Sequence, residues 1–114
     1  MMRILGLTFI FSFFLFTSCG PKSDAVVEKT FHVWGNNETC EKIIEKACKL
    51  SGVSDVKWSP DSKLLVFKID TSIITTDAVL KSVASAGYDN ELFFGNDYAY
   101  SNLPEASQYE RRDN

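Results

Sequence analysis

The thiol and imidazole side chains of this 114-residue sequence, the groups best suited to a soft metal ion, are Cys19, Cys40, Cys48 and His32. Cys40 lies in "VWGNNETCEKIIEKACKLSGV", where a strand-like run hands over to a helix-like one. At a helix start the free backbone N–H groups and the dipole favour a thiolate, the form that binds soft metals and attacks electrophiles. A soft-metal loop usually offers a second thiol three residues earlier, and Asn37 stands there instead. Cys40 is therefore open to three readings: a metal ligand, a reactive thiol, or an ordinary third helical residue behind an Asn37 cap.

Cys48 follows Cys40 by eight residues in the same predicted helix. At ~1.5 Å rise per residue their Cα atoms lie roughly 12 Å apart, whereas a disulfide needs less than about 7 Å. They do not bridge each other, and Cys48 reads as a buried hydrophobe on the Ile44 side of the helix. His32 alternates with Phe31 and Val33, so it falls on the sheet face away from the helices, at the surface or under the tail. Glu38 and Glu41 near the helix start complement its dipole.

Cys19 belongs to a different pattern. Arg3 opens a short basic start, and "ILGLTFIFSFFLF" is an apolar run of 13 residues. A membrane span needs about 20 such residues, while a secretory h-region is shorter. "FTSCG" follows, with small Ser18 before Cys19, and this resembles the lipobox of bacterial lipoproteins. On that resemblance residues 1–18 are a signal peptide, Cys19 carries the lipid, and residues 19–27 are a tether. The chain is then exported and lipid-anchored to a bacterial membrane, facing the periplasm. Removing Arg3 leaves 11 basic and 15 acidic residues, a net charge of −4. Without a basic stripe there is no counterion release to drive nucleic-acid binding.

The elements that must position Cys40 follow from periodicity. Strand one is expected over about Lys29 to Trp34 and helix one from Asn37 to about Leu50, with Ile43, Ile44, Ala47 and Leu50 on one stripe. Strand two is Val53 to Ser59, with Val56 and Trp58 on one face. "SPDS" turns into strand three, Lys63 to Asp70, which sets Leu65, Phe67 and Ile69 against Leu64 and Val66. Helix two begins near Thr75 or Thr76, carries Val79, Leu80, Val83 and Ala84 inward, and ends at Gly87. Tyr88 to Phe94 completes the order βαββαβ as a fourth strand. The architecture is α+β: a ferredoxin-like sandwich over residues 28–94, with a four-stranded antiparallel sheet and two helices on one face.

This chain resembles the heavy-metal-associated domain family, whose pattern is Cys-x-x-Cys after strand one, then Ile-Glu-Lys-Ala, then Gly-Val. Cys40, Ile44, Glu45, Ala47, Gly52 and Val53 stand in matching places, and "DAVLKSVASAGYD" resembles the family's second helix. Exported members similar to this chain end in Leu-Pro-x-Cys-Cys-x-Tyr-Glu-Arg, and this chain reads "LPEASQYER". Leu103, Pro104, Tyr109, Glu110 and Arg111 match; Asn37, Ala106 and Ser107 occupy the places of three cysteines. The resemblance implies a soft metal ion such as copper(I), held through Cys40 with a thiol from a partner or a second copy. The implied partners are the membrane and a metal-transport or metal-donor protein.

Two functions stay open at this level: a tethered metal-binding or chaperone-like protein, and a non-metallated interaction module that keeps the fold. No Ser-His-Asp set, HExxH or phosphate-binding glycine loop is present, so the chain reads as a binder and not an enzyme. The tail, residues 95–114, carries Tyr98, Tyr100, Leu103 and Tyr109 and is expected to cover an open sheet face bearing Trp34, Trp58, Leu64 and Val66.

Overall fold

The computed structural model describes residues 25–113; Cys19, the signal segment and the first part of the tether lie outside the described residues. Strand β1 (Val26–His32) leads into helix α1 (Glu38–Ala47), then β2 (Val53–Trp58), β3 (Leu64–Asp70) and helix α2 (Thr76–Ser85). Beyond them come a short helix α3 (Asp97–Ser101) and a 3-10 turn, Glu105–Ser107. Among the described residues the sheet has three strands in the order β1-β3-β2, both pairs antiparallel. This α+β arrangement is compatible with a ferredoxin-like fold.

Both main helices start on side-chain caps. Asn37 Oδ1 accepts from Cys40 N, and Thr75 Oγ1 accepts from Ala78 N. α1 stops at Ala47, short of Leu50, because the chain tightens into successive turns: Leu50 N donates to Cys48 O and Val53 N to Leu50 O. The core forms where α1 and α2 meet the inner sheet face. Ile44, Cys48, Val79, Leu80 and Val83 pack with Leu65, Phe67 and Ile69, all buried.

Four expectations need correction. First, β1 begins at Val26, within the segment read as tether, and ends at His32. Second, Trp58 is buried in the core and not on the open face. The cause is a one-residue bulge: Ser54 pairs with Lys68, but Lys57 pairs with Val66. Asp55, with φ of 52°, is the residue that turns out of the ladder. The extra residue lets Val53 before it and Val56 and Trp58 after it all face the core, which strict alternation forbids.

Third, the Tyr88–Phe94 segment is not a strand. It makes one bridge, Asn90 to Val33, and then folds on itself. Asn90 Oδ1 accepts from Leu92 N and Phe93 N, while Asn90 N donates to Phe93 O. An asparagine that bonds its own following backbone makes a turn where the βαββαβ order called for a ladder.

Fourth, the tail does not cover the open sheet face as a whole; it comes beside that face at Trp34, through Arg112. Leu64 there is 41% exposed and Tyr98 of the tail 79% exposed. The tail instead crosses the end of the sandwich at which β1 gives way to α1, and Tyr109 is buried there. Gly87 permits this approach. Its φ is 103°, and a Cβ would meet Tyr100 N at 2.8 Å.

Candidate metal centre

The β1–α1 loop, the residues after α2 and the tail converge on Cys40. Gly35 sets the depth of the loop: a Cβ there would sit 2.9 Å from the Trp58 ring and 3.3 Å from Cys40 Cβ. Trp58 is held in turn by Nε1 donating to Val33 O (3.0 Å) and by its backbone N donating to Glu45 Oε2 (2.9 Å). The loop is thus pinned to the core, and Cys40 sits with no exposed surface.

Around the thiol is a set of polar contacts. Cys40 Sγ has two acceptors in reach, Asn36 Oδ1 at 3.2 Å and Ser107 O at 3.6 Å. Asn36 and Asn37 both donate through Nδ2 to Ala106 O, at 3.0 and 3.1 Å. Ser107 Oγ donates to Asn37 Oδ1 at 3.3 Å. Positions 37, 40, 106 and 107, at which the resemblance places four thiols, therefore meet at one point, and only one of them is a cysteine. Among the described residues no three His, Cys, Asp or Glu side chains come together in a way that could hold a metal ion.

Tyr88 closes the inner side. Its hydroxyl is buried without a hydrogen-bond partner among the described residues. Burial first, and then the Cys40 thiol beside it, push its phenol above the ordinary range. Tyr109 stacks on Tyr88 at 5.3 Å and meets Tyr100 edge-on at 5.1 Å. Its hydroxyl donates to Gly87 O (2.7 Å) and accepts from Asp89 N (2.8 Å).

An ion pair fastens the tail. Asp89, with a side chain 0% exposed, takes Arg111 Nη2 on Oδ1 at 2.7 Å and Nε on Oδ2 at 2.9 Å. It also accepts from the backbone N of Gly95 and of Arg112. Burial pushes this carboxyl up, but Arg111 and the two backbone donors outweigh it and hold the group below its usual range. Fork-to-fork geometry of this kind is the strong form of the pair.

The residues singled out from sequence divide accordingly. Cys40 is at the third helical position behind the Asn37 cap, but it is buried where an exposed, reactive thiol was one reading. Cys48 is a core residue, and burial lifts its thiol to about 12. His32 is half-buried, stacked on Trp34 with centroids 3.8 Å apart, outside the cluster around Cys40. Sequence reasoning missed Tyr88, Asp89 and Arg112, and the contact of Asn36 with the Cys40 thiol. The matched "YER" ending and "AGYD" carried a signal for Tyr88, Asp89 and Arg111, and Asn36 reads with Asn37 as a capping amide at the end of strand one; Arg112 had no signal.

No protein-family model matches the chain, and no curated protein does. Among solved structures it is similar to the solution structure of the "putative copper-ion-binding protein from Bacillus anthracis str. Ames". The TM-score is 0.57 and the identity 30%, over 60% of this chain and 100% of that one.

Proposed function

Since the chain belongs to the same family as that Bacillus anthracis protein and has a heavy-metal-associated-like fold, we propose that it works in soft-metal handling, with copper the metal concerned. It is a binding protein and not an enzyme, exported and tethered by lipid at Cys19. The observation that carries this reading is the placement of Cys40 at the N-terminus of α1, at the meeting point of positions 37, 106 and 107.

The residues present do not make a tight site alone. Copper(I) takes two or three soft ligands, and here one thiol is surrounded by amide, hydroxyl and carbonyl oxygens. A second thiol has to come from a partner or another copy of the chain, and the Pro104–Tyr109 segment has to lift for it to reach a buried Cys40. The protein on this reading is a receiver or presenter of metal in a two-protein complex, not a store.

A second reading has its own support. The hydrogen bonds that Asn36, Asn37 and Ser107 make over Cys40 satisfy the loop without any ion. A module so closed could serve by protein contact alone. Competition for copper(I) against a chelator of known affinity separates the two. Weak uptake by the chain alone that rises when a thiol-bearing partner is added, and disappears in Cys40→Ser, supports metal handling. Indifference of both uptake and partner capture to Cys40→Ser leaves the interaction module.

A further inference from the structure

Arg111 and Arg112 are neighbours with opposite fates. Arg111 spends its guanidinium inside the molecule, on Asp89, Asp97 and Gly95 O. The Arg112 guanidinium enters no hydrogen bond or ion pair among the described residues, and its Nε is buried without a partner. It is nonetheless held in place. Its carbon lies 3.7 Å from the centroid of the Phe94 ring and 6.0 Å from that of Trp34, and its backbone N is fixed on Asp89.

Arg112 borders a groove of about 680 Å³ that also runs past Trp34, Asn36, Lys63 and Glu110. The wall is rigid on its sheet side, where His32 stacks on Trp34 and its backbone is clamped by Glu91. A planar fork stacked on an aromatic ring, here Phe94, matches a planar two-oxygen acceptor, as in a bidentate pair with carboxylate. An unpaired buried donor is costly to leave so, and the guanidinium finds no acceptor among the described residues.

The charges around the fork narrow the ligand further. Glu110 and Asp113 lie in the same groove as Lys63 and Arg112, so the wall alternates in sign. Alternation disfavours a dianion or polyanion, which would meet both acids, and suits an extended polypeptide with one acidic side chain among neutral or basic ones. We infer that this groove is a peptide-docking site in which Arg112, stacked on Phe94 beside Trp34, receives a carboxylate from a partner protein. The inference is independent of whether Cys40 ever holds metal.

The test uses the full-length chain in neutral detergent, labelled with nitrogen-15, with the Trp34 indole N–H and Arg112 Nε–H signals followed. The probes are acetyl-Lys-Glu-Lys-amide, the same peptide with Gln for Glu, sodium acetate and inorganic phosphate. The Glu peptide is expected to shift both signals to saturation, with the Gln peptide and acetate roughly tenfold or more weaker. Arg112→Gln should abolish the effect, and Arg112→Lys should keep the charge but lose most of the binding. Unchanged Tyr109 and Gly95 signals in either variant show that the tail is still seated. Saturation by acetate at the same concentration, or tighter binding of phosphate, overturns the peptide assignment. Shifts that are absent, or that persist in Arg112→Gln, overturn the site.

Discussion

The two ends of this molecule are held together by different physics. Where the helices lie on the sheet, Ile44, Leu65, Phe67, Leu80 and Val83 are buried with apolar neighbours, and burial is non-directional. Where the β1–α1 loop meets the tail, the contacts are directional: amide to carbonyl, phenol to carbonyl, and a guanidinium on a buried carboxylate. An apolar core tolerates repacking and loses stability gradually. A buried polar network fails sharply, because removing one member strands the others. The contrast says what holds each end: the loop–tail end adds to the packing of Tyr88, Tyr100 and Tyr109 a polar network that depends on every one of its members.

Deleting residues 96–114 tests that dependence and should have the largest effect. Tyr109 alone is a fully packed aromatic, and loss of such a side chain costs about 3–5 kcal/mol. The deletion also strands the Asp89 carboxylate, so its sum approaches the whole stability of an ordinary domain, on the order of 5–15 kcal/mol. Urea unfolding should lose its cooperative transition or move far down in denaturant. Cys40 should become reactive toward a thiol reagent at a rate near that of a free thiol. A truncated chain as stable as the parent, with Cys40 still protected, would show that the tail is only laid on the surface.

Arg111→Met isolates the ion pair. Leaving a buried carboxylate without its partner costs about 3–5 kcal/mol. The pair also sets an acid limit. The Asp89 carboxyl titrates below its ordinary value in the folded protein, so the stability it contributes is full above the unfolded value, about 3.9. That stability drains away as pH falls through the lower, folded value. Below that limit Arg111→Met and the parent should converge, while at neutral pH they stay apart. Denaturation curves across the acid range decide it, and a gap that does not narrow on acidification would remove the pair from the account.

Restoring thiols asks whether the polar closure replaces a metal site. Asn37→Cys with Ser107→Cys brings three cysteines to positions already in contact. Copper(I) affinity in a chelator competition should rise by roughly a hundredfold or more over the parent, since a lone thiolate gives way to several. Loss of the Asn37 cap should lower stability by about 1 kcal/mol in the absence of metal. An unchanged affinity would mean that the tail does not bring position 107 within reach of a shared ion.

How much of this was legible depends on the same contrast. Periodicity reports burial, so the stripes of α2 and β3 were read correctly from Val79, Leu80, Val83, Leu65, Phe67 and Ile69. Trp58 was misplaced because a bulge shifts alternation by one residue, and nothing in "VSDVKW" marks Asp55 as the residue that leaves the ladder. The fourth strand was placed over Tyr88 to Phe94 to complete the βαββαβ order, but the Asn90 side chain competes for the backbone and wins. The Asn37 cap was visible because capping is local. The joining of Asn37 to Ala106 spans 69 residues and has no local signature; only the resemblance in the tail gave a hint that those positions belong together.

The smallest expected effect lies on the outer sheet face, and it decides where the tail rests. Leu64 is 41% exposed beside half-buried Val66, and its cross-strand neighbour is His32 on β1. Since no tail residue among those described covers it, Leu64→Lys removes little packing. The change also leaves the strand edges and the core untouched, so the ladder between β1 and β3 keeps its bonds. Exposed substitutions of this kind usually stay within about 0.5 kcal/mol. Had the tail been folded over this face, a lysine there would force out a buried contact at about 1–3 kcal/mol and loosen Tyr109 as well. Leu64→Lys should therefore melt with the parent, bind no more of a hydrophobic dye, and leave Cys40 as slow to react as before. A large drop in melting temperature accompanied by faster Cys40 modification would put the tail back on the sheet and dissolve the division between the two ends.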